Sequence, residues 1–96
     1  MNRRAIYGNA ICLIRKARHK SQAETAAAME MHEDALGLIE RNQRDLMLEK
    51  FYLAAIYLRF DPLRFMQLTS EDPAKVLACL LPDEEKEGKE NVDAPA

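Results

Sequence analysis

Side chains able to do acid–base, nucleophilic or metal chemistry are few in this chain, and they are scattered. Cys12 and Cys79 lie 67 positions apart with no C-x-x-C or metal-type spacing, so neither a disulfide framework nor a zinc site is indicated. They read as two reduced thiols in a cytoplasmic protein. His19 and His32 stand 13 residues apart without companion ligands. There is no Gly-rich phosphate loop and no nucleophile with a matched base, so neither enzyme activity nor a cofactor or small-molecule ligand is expected. What the chain does offer is a charge gradient. Residues 1–44 hold eight Lys/Arg against five Asp/Glu, residues 45–70 three against three, and residues 71–96 three against eight. A basic amino-terminal half followed by an acidic end suits contact with a polyanion on one side.

The elements that must carry these charges are helical. With 96 residues, 48% hydrophobic and 31% charged, with only three Gly and four Pro, one small globular core is expected and collagen-like or Gly/Pro-rich disordered classes are excluded. Ile6, Ala10, Leu13, Ile14 and Ala17 recur at helical spacing over about 4–19. Ser21-Gln22-Ala23-Glu24 has the capping-box form and opens a short second helix rich in alanine. Glu33 and Asp34 suit the first turn of a third helix to about residue 41, with Gly37 in its middle and Asn42 placed to end it. A fourth helix spans about 47–58, with Leu48, Phe51, Ala55 and Leu58 on one face. Asp61-Pro62 starts a fifth helix reaching Leu68, and Asp72-Pro73 a sixth that runs through Leu81 to Pro82. Residues 82–96 hold one bulky hydrophobe, Val92, in a run of charges, and read as a disordered acidic tail.

No stretch approaches the roughly 20 apolar residues of a membrane span. The start, Arg3-Arg4 followed by apolar residues, only faintly imitates a secretory signal, because Arg15-Lys16-Ala17-Arg18 stands where a small-residue cleavage site belongs.

A short capped helix, a turn and a second short helix have the spacing of a helix-turn-helix unit. The stretch from Ile11 to Phe60 resembles the lambda-repressor-like family (Cro/phage repressor, XRE type). The matching residues are Ile11, Ile14 and Arg15, then Ser21-Gln22, Ala26, Met29 and Met31. They continue with Leu36, Ile39, Glu40-Arg41, and Leu48, Phe51, Ala55 and Leu58. The resemblance implies an all-α domain of five to six helices over residues 1–69, with Ala26 small where the third helix crosses and Met31 plugging the corner. It implies a structural ion pair of Arg15 with Glu40. It also implies that the third helix enters the DNA major groove, with His32, Glu33, Asp34 and Leu38 as candidate base-reading residues. Gln22, Arg18, Lys20, Arg41, Gln43 and Arg44 are the candidate phosphate contacts.

This chain departs from the family's pattern in three places, one being the exit of the first helix, usually apolar-Gly-apolar and here Arg18-His19-Lys20. Glu30 stands in the turn where the family usually has Gly, and a left-handed Glu costs about 1 kcal/mol. The third helix also begins with two carboxylates, so binding would rest on Arg3, Arg4, Arg18, Lys20, Arg41 and Arg44. About five such contacts give a salt slope near −4 to −5 per protomer.

The resulting expectation is a cytoplasmic, sequence-specific DNA-binding regulator, a dimeric repressor of phage, plasmid or controller type. The partner is double-stranded DNA and the assembly a homodimer, with no membrane. Its dimer surface is expected on residues 70–81 and the helix before them: Phe65, Met66 and Leu68, with Val76, Leu77, Leu80 and Leu81. The alternative is a protein-interaction module of the same fold, such as an antirepressor, inhibitor or antitoxin, that does not read bases.

Overall fold

The computed structural model describes residues 7–82, and these form six helices: α1 Gly8–Ala17, α2 Gln22–Ala28, α3 Glu33–Glu40, α4 Leu48–Leu58, α5 Pro62–Met66 and α6 Pro73–Leu77. Among the described residues there is no strand, only one antiparallel bridge joining Phe60 to Leu80. The fold class is all-α. The acidic tail from residue 83 onward, and Arg3 and Arg4, lie outside the described residues.

Local signals account for where four of the helices start. Ser21 Oγ accepts from the Glu24 N–H and the Glu24 carboxylate accepts from the Ser21 N–H, both at 3.0 Å, so the capping box closes. Asp61 and Asp72 cap α5 and α6, each followed by Pro at the first helical position. His32 caps α3, its Nδ1 accepting from the Asp34 N–H at 3.2 Å.

The first four helices end by a shared device. His19, Glu30, Asn42 and Arg59 all have φ near +60°. After α1 the Lys20 N–H reaches the Arg15 carbonyl and the His19 N–H the Lys16 carbonyl, and the pattern repeats after α2 and α3. Each is a Schellman closure, made here without glycine. Two extra hydrogen bonds per terminus offset the about 1 kcal/mol strain of a left-handed side chain. This closure stops α1 at Ala17, two residues before the periodicity predicts.

α5 and α6 are also shorter than expected. α6 ends at Leu77 because residues 79–81 pair with 59–61: the Asp61 N–H donates to the Cys79 carbonyl at 2.8 Å and the Leu81 N–H to the Arg59 carbonyl at 2.9 Å. The backbone groups that a longer helix would have used are satisfied by that pairing.

The core is one cluster. Ile11 and Ile14 of α1, Ala26 and Met29 around α2, Leu36 and Ile39 of α3, and Phe51, Ala54 and Leu58 of α4 are buried together. Phe51, Phe60 and Phe65 form an aromatic triad with ring centroids 5.1–5.7 Å apart. α6 packs on α1 and adds Val76 to the same cluster. At the other end, α1 meets the close of α3. The Gly8 N–H donates to Asn42 Oδ1 at 2.9 Å, and a Cβ on Gly8 would sit 1.6 Å from the Ile39 carbonyl oxygen. Only glycine fits there.

Candidate nucleic-acid interface

α3 buries Leu36, Gly37, Ile39 and Glu40 and turns Glu33, Asp34, Leu38 and Arg41 outward. Its carboxyl end rests on a buried polar network. Arg15 Nε donates to Glu40 Oε2 at 2.7 Å and Arg15 Nη2 to Glu40 Oε1 at 3.1 Å, a bidentate pair, while Gln22 Nε2 donates to Glu40 Oε1 at 2.9 Å. Arg15 Nη1 also holds the Lys20 carbonyl at 2.9 Å. Burial pushes the Glu40 carboxyl up, but hydrogen bonds from Arg15 and Gln22 and the guanidinium charge outweigh it and hold the group below the usual carboxylate range. The Arg15 guanidinium is raised in turn, chiefly by its hydrogen bond to Glu40. The Cys12 thiol, 3.6 Å from Arg15 Nη2, is pushed up by burial and then by the Glu40 charge, so it is a weak nucleophile.

Above this network an open groove of about 270 Å³ is lined by Gln22, Glu33, Asp34, Gly37, Leu38 and Arg41. A Cβ on Gly37 would lie 3.5 Å from Arg41 Nη1, an ordinary contact. Gly37 therefore marks the groove floor without being required by a close approach. Three of the four predicted base-reading residues meet in this groove with two of the predicted phosphate ligands. His32 serves as the helix cap at its edge. Arg44 and Gln43 are exposed just beyond α3, Gln43 accepting from Arg41 Nε at 3.4 Å. The face is thus acidic at the start of α3 and basic after its end.

Gln22 has a duty the sequence did not disclose, since its amide is engaged with Glu40. Arg18 is placed differently from the expectation. Its Nε donates to the Leu58 carbonyl at 2.8 Å, and its Nη2 to the Arg59 and Leu81 carbonyls at 2.8 and 2.9 Å. It caps the end of α4, where carbonyls lack helical partners, and ties down the carboxy-terminal segment. These acceptors lie 40 to 63 positions away in sequence, so no local pattern could have announced them. Lys20 is half-buried with its ammonium 5.3 Å from the Tyr57 ring centroid.

The expected dimer residues divide. Phe65 and Val76 are fully buried in the chain's own core, Leu68, Leu77 and Leu80 are half-buried, and only Met66 and Leu81 are exposed. Phe65 and Val76 are unavailable to a second copy because α5 and α6 close the aromatic cluster themselves. Conversely Leu48, expected on the inward face of α4, is 52% exposed.

Among the described residues no helix is long and apolar enough to cross a membrane, and no group of three or more His, Cys, Asp or Glu is placed to hold a metal. Compared with protein-family models, curated proteins and solved structures, the chain matches none.

Proposed function

We propose that this chain is a small helix-turn-helix regulator that binds double-stranded DNA through α2 and α3, acting as a repressor. The observation that carries the reading is the open groove along α3, with Glu33, Asp34 and Leu38 at its outer positions, Gln22 and Arg41 at its sides, and Arg44 beyond. α3 is held rigidly from below by the Arg15–Glu40–Gln22 network, the kind of support that base readout needs. Glu33 and Asp34 accept from cytosine N4, and Leu38 meets a thymine methyl. Affinity comes from the cations around this face. With Arg18 engaged on carbonyls, Lys20, Arg41 and Arg44 remain, and three phosphate contacts give a salt slope near −3 per protomer. Arg3 and Arg4 would steepen it.

Fluorescence anisotropy on duplex DNA across a salt series tests this. Arg41→Ala with Arg44→Ala should weaken binding to all sequences and reduce the slope by about 2. Unchanged binding by that double variant would overturn the reading.

A second reading, a protein-interaction module, is favoured by one observation: the Asp34 side chain is 92% exposed beside Glu33 at the head of the groove, and carboxylates repel a polyanion. The salt series separates the two, since a module that binds only protein is not retained on duplex DNA; replacing Glu33 and Asp34 with Gln then tells base readout, by altered sequence preference, from mere repulsion, by a uniform gain on every duplex.

A further inference from the structure

A helix on the surface of a lone globule turns its polar residues to water. α1 does so, with Asn9 and Lys16 exposed. α4 does not. Its exposed positions are Leu48, Glu49, Tyr52 and Ile56, three of them large and apolar, with Ile56 73% exposed near the carboxyl end of the helix. Leu48, Tyr52 and Ile56 follow one another at four-residue spacing and so form a single stripe. Met47, 65% exposed and immediately before Leu48, extends it.

We propose that this stripe is where two copies of the chain pair, α4 against α4 in antiparallel sense. Two features select a second copy as the occupant. The first is area. With 48–73% of each exposed, Met47, Leu48, Tyr52 and Ile56 present on the order of 500 Å² of largely apolar surface, more than half of the roughly 800 Å² per partner that a standard-size interface buries. The second is self-complementarity. About a two-fold axis crossing the exposed face at the height of the buried Ala54, Tyr52 of one copy stands level with Ile56 of the other, since each is two positions along the helix from it. The antiparallel helix dipoles also oppose favourably. The pairing makes no use of the groove along α3 and stands whether or not that groove reads DNA.

Sedimentation equilibrium of the full chain without DNA tests the proposal. The wild type should sediment as a dimer. Ile56→Asp, at an exposed position, should weaken self-association at least tenfold while leaving helical circular dichroism unchanged. Met66→Lys, on α5, should leave the dimer as tight as wild type. A monomeric wild type, or an Ile56→Asp dimer of undiminished affinity, would overturn it, as would a dimer broken by Met66→Lys and spared by Ile56→Asp.

Discussion

At the scale of single residues, the Arg15–Glu40 pair is the most consequential contact. Removing one partner of a buried ion pair leaves an uncompensated charge, which costs about 3–5 kcal/mol. Arg15→Ala should therefore lower the melting temperature by at least about 10 °C, because a domain of this size loses about 4–8 °C per kcal/mol. The pair also sets a pH dependence. The folded Glu40 carboxyl lies below its unfolded value, so its contribution is fully present above the ordinary carboxylate range near about 4.3 and disappears as pH falls through the lower, folded value. Urea unfolding at stepped pH should show that loss in wild type, and Arg15→Ala should lack it. The two partners were legible in the sequence only through family resemblance, being 25 positions apart. The Gln22 amide completes their network, whereas its place at the start of α2 suggests only a phosphate ligand, because nothing local indicates that it faces inward.

Among the elements, the starts of the helices were legible and their ends only in part. Ser21, Asp61-Pro62 and Asp72-Pro73 announce starts because a cap acts within three residues of itself. Glu30 and Asn42 were marked as left-handed closures, but His19 and Arg59 were not, since His and Arg carry no strong preference for that conformation. The four closures differ in what glycine would do. Glu30→Gly should stabilise the fold by about 1 kcal/mol by relieving a strained Cβ, as Glu30 contributes only main-chain groups, its N–H to the Ala27 carbonyl at 3.0 Å and its carbonyl to Lys50 Nζ at 2.9 Å. Asn42→Gly should destabilise it, because the Asn42 side chain caps the start of α1 at Gly8 and its Nδ2 also reaches Glu71 at 3.5 Å. Thermal melts of the two variants should move in opposite directions. The exposure of Leu48, Tyr52 and Ile56 was hidden for a related reason: α4 is apolar on nearly every side, and its periodicity alone does not say which side meets the core.

For the molecule as a whole, the single core and its all-α class followed from composition and spacing, whereas the way the chain closes on itself did not. Closure depends on Arg18, which joins the end of α1 to the end of α4 and to the last described turn. Arg18→Ala should lower stability by about 1–3 kcal/mol through orphaned carbonyls and leave the salt slope of DNA binding unchanged, a combination that no phosphate ligand would give. Melting curves and the same salt series decide it. The clasp also bears on how the protein is made. Ribosomes deliver α1 first and the Leu81 carbonyl some sixty residues later, so Phe60 and Phe65 stay without their final cover until Val76 and Leu81 have been made. A transcript truncated before Val76 should accordingly yield a sticky, protease-sensitive stub rather than a smaller folded domain.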